Sequence, residues 1–517
     1  MNGQEYDVIA TVSPRSVGPY SVFDESVAIT KENAAQFASD PSDVRDCIKA
    51  LTRAGFHVFK EASDPKGSTV QIGGSAKLFK EFFGAKITKQ KAEIGPGVET
   101  TFMATSEEPA EALMKAPDDF ADLIEGAVVA RPPIYFAPSP IPPIATVHAN
   151  AYPYFRVPDG IAVMLRAARV HRLGVTGKGV VVAMPDTGMY KHPFYAERGY
   201  RVYKTLLAPG ATDPNDDMVG HGTGEAANVF ACAPDARLIP VKMGNDTTGA
   251  INTAVNATPT PQVITNSWGY DADRPGTSIP IWLKPLELAI ANAVASGIVV
   301  CFSAGNGHFG FPGSHPDVIS VGGVHVNLPD ITDFEASSYV SSFMSTWYPG
   351  RASPDLCGLT GKRVNIGGGK APSILLPVQE GAQLDTIDPP TGPGNDGWGL
   401  FSGTSAACPQ IAGIVALMLE KNPALTPVQV KDKLMKSARD VKKGTTAHGE
   451  TAVAGPDLAT GAGLADAKWA YLNTMGDVAT AFFAAPKEEQ LAMVSSGKMP
   501  EISTEFVEDL IETLRSR

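Results

Sequence analysis

Phe401-Ser-Gly-Thr-Ser-Ala-Ala-Cys-Pro-Gln-Ile-Ala-Gly-Ile-Val-Ala-Leu-Met-Leu-Glu420 is the stretch around which the chain is organised. From Ser405 onward, Ile411, Val415, Met418 and Leu419 recur at helical spacing, and Pro409 fits only near a first turn, where few amides need an internal acceptor. The pattern therefore places Ser405 at a helix N-terminus, in the positive end of the macrodipole and among unsatisfied backbone N–H groups. Gly403 leaves room there for close backbone approach. Such a place suits a nucleophile. It suits an ordinary cap equally well, because Ser and Thr are preferred N-cap residues. A serine nucleophile needs a base, and the base an orienting carboxylate, so the rest of the chain must supply both.

Upstream, apolar runs alternate with helical patterns: Val180-Val-Val-Ala-Met, Leu238-Ile-Pro-Val-Lys, Val263-Ile-Thr-Asn, Ile298-Val-Val-Cys-Phe and Val318-Ile-Ser-Val, with a helix over 286–296 stopped by Gly297. Strands apolar on both faces and separated by helices predict an α/β fold, a parallel sheet covered on both sides, with functional groups beyond the carboxyl ends of the strands. A candidate carboxylate, Asp186, stands at such a strand end in Asp-Thr-Gly, a motif that also makes common turns. A candidate base, His221, stands in Val-Gly-His-Gly-Thr-Gly, where the small neighbours permit close approach. Asn306, in Ser-Ala-Gly-Asn-Gly after another strand, can donate to an oxyanion, worth about 3–4 kcal/mol of transition-state stabilisation. A tight Asn-Gly turn is the alternative.

The 517 residues, 43% of them hydrophobic, suffice for two or three domains. A net charge of −12 argues against nucleic-acid or anionic-membrane partners. Five scattered cysteines without CxxC spacing indicate neither a disulfide framework nor a zinc site. The polar first residues and the lack of a spanning apolar run lead to the expectation of a cytoplasmic protein, or a secreted one if a leader has been removed. Residues 1–135 read as a small α+β module: a strand over 6–13, an amphipathic helix over 42–54, strands over 56–60 and 68–72, a helix over 76–83 and a strand over 85–88. A Pro-rich linker spans 136–158, the main domain 159–475, and a helical extension 476–517, with Phe506, Leu510, Ile511 and Leu514 on one face.

Asp186-Thr-Gly, His221-Gly-Thr, Ser303-Ala-Gly-Asn306 and Gly403-Thr-Ser405-Ala-Ala-Cys-Pro follow one another in the order Asp, His, Asn, Ser. With Asn266-Ser-Trp-Gly and Gly461-Ala-Gly-Leu-Ala-Asp-Ala, they resemble the subtilisin-like serine peptidases. The resemblance implies a subtilisin-like parallel sheet and a serine endopeptidase acting on peptide or protein substrates. Ser405 would attack the scissile carbonyl, His221 would move the proton, Asp186 would hold the imidazole, and Asn306 with the Ser405 N–H would bind the oxyanion. Ser267, Trp268 and Gly269 would pair with an extended substrate. No cofactor is required for such chemistry; structural calcium occurs in the family, but no ligand cluster can be assigned here. In Ala54-Gly-Phe-His-Val, Val70-Gln-Ile-Gly-Gly and Phe82-Phe-Gly-Ala, the N-terminal module resembles the prodomain of sedolisin (kumamolisin-like) peptidases. That implies a zymogen with its own N-terminal prodomain as partner. An inactive peptide-holding scaffold and an exopeptidase are the other classes considered.

The chain departs from the subtilase pattern after His221, where Gly224-Glu225 stand. Glu225 lies one helical turn past His221, and is expected either to raise the imidazole pKa or to face solvent. Pro- and Gly-rich sequence over 326–400, including 343–350 and 386–399, is read as loops framing the cleft.

Overall fold

The computed structural model describes residues 6–95, 98–105, 112–135, 154–363, 370–371, 374–386, 396–474 and 485–495. The valine-rich runs form the centre of a nine-stranded sheet, buried on both faces. Its order runs Arg201–Val202, Arg237–Lys242, Val181–Asp186, Val263–Asn266, Val299–Ser303, Ile319–Val326 and Phe334–Ala336, with Leu206–Leu207 and Leu356–Leu359 pairing alongside. All pairs are parallel except that of Ile319–Val326 with Phe334–Ala336. Alternate side chains enter two cores: Val182, Met184, Val263, Val299 and Cys301 on one face, Val181, Ala183, Ile264, Val300 and Phe302 on the other. This is the period of a strand read twice, which is why the runs are continuously apolar. The chain passes from 181–186 to one neighbour and then to the other, so Asp186 ends the strand at which strand order reverses, the usual position of a ligand crevice.

Helices cover both faces. His221–Cys232 and Thr404–Lys421 pack on the first, and Thr247–Val255 and Lys284–Ala295 on the second. The Ser405 helix is buried at every residue from 404 to 419, which its apolar content all round requires. Two expectations about it are corrected. Gly403 is the N-cap, so Thr404 and Ser405 lie within the first turn and neither caps it. Pro409 lies further inside the helix than expected, where it removes the N–H that would bond the Ser405 carbonyl. Ser267 Oγ donates to that carbonyl instead, at 2.9 Å.

The N-terminal module is a five-stranded antiparallel sheet in the order His57–Val58, Val70–Gly74, Val8–Pro14, Ile124–Val129, Leu113–Lys115. Helices Pro41–Ala54 and Ala76–Phe83 bury Cys47, Leu51, Phe79 and Phe83 against one face. The strand expected over 85–88 does not form. Pairing begins at Thr88, in a hairpin of Thr88–Gly95 with Val98–Ala104 whose polar composition carries no apolar alternation to read.

The module packs on the helices of the second face. Asn256 Nδ2 donates to the carbonyls of Glu61 and Ser63, each at 3.0 Å, and Val22, Ile29, Ala34 and Phe37 pack on Leu288 and Ala291. The expected linker lies mostly outside the described residues, as do Phe506, Leu510, Ile511 and Leu514. At its end Phe155–Arg156 pairs with Ile374–Pro377. In the extension, Lys487–Ser495 is helical and rests Leu491 and Met493 on the main core. Of residues 343–350, Phe343–Met344 pairs with Ala352–Ser353 and the rest is irregular, with Trp347 and Tyr348 buried in the second core.

Candidate active site

The sheet's carboxyl ends bring the four sequence motifs to one place. Asp186 closes its strand, and its Oδ1 lies 2.8 Å from His221 Nδ1 and accepts the Thr187 N–H at 2.7 Å. His221 opens its helix behind Gly220, which takes φ +85°. Gly222 allows the close approach: a Cβ there would stand 2.3 Å from the Gly188 carbonyl oxygen and 3.2 Å from Asp186 Oδ1. Asp186 and His221 are both buried, as is Ser405.

Asp217, which sequence reading passed over, holds this corner together. Its Oδ1 accepts from Thr187 Oγ1 at 2.7 Å and the Gly220 N–H at 3.0 Å, and its Oδ2 from the Thr223 N–H at 2.8 Å and Thr223 Oγ1 at 2.7 Å. A buried carboxylate satisfied by four donors fixes the entry of the His221 helix. An Asp shortly before a helix start is a capping signal that could have revealed it.

Ser405 Oγ donates to the Ser267 carbonyl at 3.2 Å, while Ser267 Oγ donates to the Ser405 carbonyl. His221 Nε2 makes no hydrogen bond to any described residue, so the imidazole and the Ser405 hydroxyl are not bonded to one another. Asn306 Oδ1 accepts from Thr404 N–H at 2.9 Å and Thr404 Oγ1 at 3.1 Å. That pins the amide's acceptor end and turns its donor end away from Thr404.

The backbone of Trp268 and Gly269 is paired, antiparallel, with Tyr135 and Ile134 of the chain itself. The Trp268 side chain points into the core, with Nε1–H donating to the Pro185 carbonyl at 3.0 Å. Further along, Tyr270 OH donates to the Arg131 carbonyl at 3.0 Å. The Tyr135 ring lies 6.1 Å from the His221 ring and is itself buried.

Glu225 is fully buried, so the solvent-facing alternative is excluded. Its Oε1 is 3.7 Å from His221 Nε2, and its Oε2 accepts from Asn228 Nδ2 at 2.9 Å. Burial, with the Asp186 charge adding, pushes its carboxyl well above the usual range despite His221 and Asn228. For His221 burial pulls downward, but Asp186 first, then Glu225 and Asp217, outweigh it and hold the imidazole above its ordinary value.

Among the described residues no group of three or more His, Cys, Asp or Glu side chains is placed to hold a metal ion, so calcium is assigned to none of them. All five cysteines are buried and unpaired. Among the described residues no helix is long and apolar enough to cross a membrane.

The arrangement is similar to known proteins at several levels. Serine protease AprX from Bacillus subtilis (strain 168) is 32% identical over 300 residues, 52% of this chain and 62% of AprX. Subtilisin E from the same organism is 29% identical over 318 residues, 57% of this chain and 68% of subtilisin E. The structure of fervidolysin from Fervidobacterium pennivorans, a keratinolytic enzyme related to subtilisin, shares the fold with a TM-score of 0.50 at 18% identity, over 91% of this chain and 62% of that one. This chain thus spans less than two thirds of the length of AprX and of fervidolysin. The Subtilase family matches residues 177–463, more than half of the 517, and all four motifs lie inside that span; the chain belongs to the subtilase family.

Proposed function

We propose that the protein is a serine endopeptidase working through an acyl-enzyme, with residues 1–135 as its inhibitory prodomain. The observation that carries this reading is the buried Asp186–His221 hydrogen bond, set beside a serine in the first turn of a helix. Ser405 attacks the scissile carbonyl as His221 Nε2 takes its proton. The imidazolium is stabilised by Asp186 and then protonates the leaving amine. The tetrahedral oxyanion is met by Asn306 Nδ2 and the backbone N–H groups at the start of the Ser405 helix. The resting serine bonds to Ser267 O rather than to Nε2, and such catalytic hydrogen bonds often tighten only with substrate bound.

The substrate enters as an added strand along Trp268 and Gly269, where backbone pairing gives affinity and side-chain pockets give selectivity. In the resting chain Ile134 and Tyr135 occupy that edge, which supports self-inhibition by the end of the module. Intact-mass analysis of wild type beside Ser405→Ala tests both parts. We expect a cut beyond residue 135 in the wild type alone, and covalent labelling by a fluorophosphonate that Ser405→Ala abolishes. A wild type that is neither cut nor labelled would instead be a scaffold that holds a peptide strand.

A further inference from the structure

Two carboxylates face the imidazole of His221, one on each nitrogen. Asp186 holds Nδ1 at 2.8 Å, and Glu225 Oε1 stands 3.7 Å from Nε2, the atom that must take the serine proton. Neither Nε2 nor Oε1 makes a hydrogen bond to another described residue, and both side chains are wholly out of solvent. The far oxygen of Glu225 is braced. Asn228 Nδ2 donates to it at 2.9 Å, Gln410 Nε2 of the Ser405 helix donates to Asn228 Oδ1 at 3.3 Å, and the Leu359 N–H donates to Gln410 Oε1 at 2.8 Å. This relay of amides aims the near oxygen. A charged carboxylate oxygen buried without a donor is costly, and closing the 3.7 Å gap by less than about 1 Å lets a proton bridge Oε1 and Nε2.

We propose that Glu225 is a positioning residue that competes with Ser405 for His221: Oε1 and Nε2 share one proton in the resting protein, and the imidazole becomes a base for the serine only once that proton has left to solvent. The inference rests on the peptidase reading of the site. With the proton on Nε2, the ring is a cation held between two carboxylates. With it on Glu225, the carboxyl O–H is directed at the Nε2 lone pair. Either way Nε2 cannot accept from Ser405 Oγ, which is found on the Ser267 carbonyl.

The groups facing the pair come from every packed element. Asp186 lies at the strand end, Asp217 in the turn before the helix, and the rings of Tyr135 and Phe401 flank the imidazole. Tyr195 and Cys408 lie toward Glu225. None of these brings a positive charge. The same burial and negative surroundings hold both members of the pair above their ordinary values, in the sense that keeps the proton at neutral pH.

The test follows the imidazole itself. In the full chain carrying Ser405→Ala, with histidine selectively labelled for NMR, the His221 ring is titrated with Glu225 and with Glu225→Gln, which retains an acceptor for Asn228. The apparent pKa of the ring is expected to fall by about one unit or more in Glu225→Gln. In proteins with Ser405 intact, the acidic limb of fluorophosphonate labelling should move to lower pH by a similar amount. Glu225→Met, which removes both oxygens at similar volume, should produce the same displacement and serves if the Gln protein does not fold. Superimposed titration curves overturn the shared proton whatever the reactivity. A displaced ring titration in a protein that labels at no pH upholds the shared proton and counts against the peptidase reading.

Discussion

Gly222 sets how closely the His221 helix can approach Asp186. Its missing side chain is the space in which the Gly188 carbonyl and Asp186 sit, so Gly222→Ala has to push the His221 helix or the Asp186 loop aside. A displacement of about 1 Å at the reacting groups costs on the order of 100-fold in rate. We expect kcat/KM to fall by about that factor in Gly222→Ala while far-UV circular dichroism stays unchanged, because the helix runs on from Gly222 to Cys232. Gly220 is constrained by a left-handed backbone as well, and a Cβ there would also stand 3.1 Å from Val378 Cβ. Together they explain why the sequence around His221 is built from small residues.

Ser267 and Pro409 form one device linking the strand edge to the Ser405 helix. Proline inside the helix leaves the Ser405 carbonyl without its N–H donor, and the Ser267 hydroxyl replaces it from the neighbouring strand. Because that carbonyl belongs to Ser405 itself, the bond ties the position of the expected nucleophile to the edge at which a substrate strand would pair. Ser267→Ala leaves a buried acceptor unsatisfied and is expected to cost about 1–3 kcal/mol in denaturant unfolding. With Pro409→Ala the N–H returns, so Ser267→Ala in that background should cost less than about 0.5 kcal/mol. Equal costs in the two backgrounds would show that Pro409 and Ser267 are independent.

The module is attached to the main domain by more than the pairing of Ile134 and Tyr135 with Gly269 and Trp268. Residues 27–31 run over a buried polar cluster. Lys284 Nζ donates to the Val27 carbonyl at 2.6 Å and to Glu287 Oε2 at 2.5 Å. Glu287 Oε1 accepts the Ile29 N–H at 2.9 Å and Tyr348 OH at 2.8 Å, and Asp317 Oδ2 accepts the Lys31 N–H at 2.7 Å. His315 Nε2 meets the Ile29 carbonyl at 2.9 Å, and its Nδ1 accepts the Asp317 N–H at 3.2 Å. Only the neutral ring with its proton on Nε2 can make both bonds.

Burial lowers the His315 pKa, with Arg351 adding, against Asp317 and Glu287, which raise it. A folded value below the unfolded one of about 6.5 means that this contribution is present above that pH and lost as pH falls toward the folded value. Hydrogen exchange at the Ile29 and Lys31 amides, corrected for intrinsic rate, should therefore accelerate between pH 7 and 5. His315→Gln, whose amide supplies one donor and one acceptor at any pH, should remove most of that change.

The α/β class, the five principal strands and the four motifs were legible in the sequence, because continuous apolar runs and rare residue groupings are local properties. The helix starts at Thr404, one residue before Ser405, and Pro409 lies deeper than expected, since the donor that accommodates the proline lies 138 residues away in sequence. The hairpin over 88–104 and the role of Asp217 went unread: one carries no apolar alternation, and the other ties the start of the His221 helix to Thr187, 30 residues from Asp217 in sequence.

By itself, then, the sequence determined the family to which the chain belongs and the strand ends at which its motifs stand, for those follow from residue type and period. Only the tertiary structure decided that Glu225 faces Nε2 from inside the protein rather than water, and that Ile134 and Tyr135 lie along Trp268 and Gly269. Both depend on which surfaces are brought together and closed to solvent, and no periodicity along one chain encodes that.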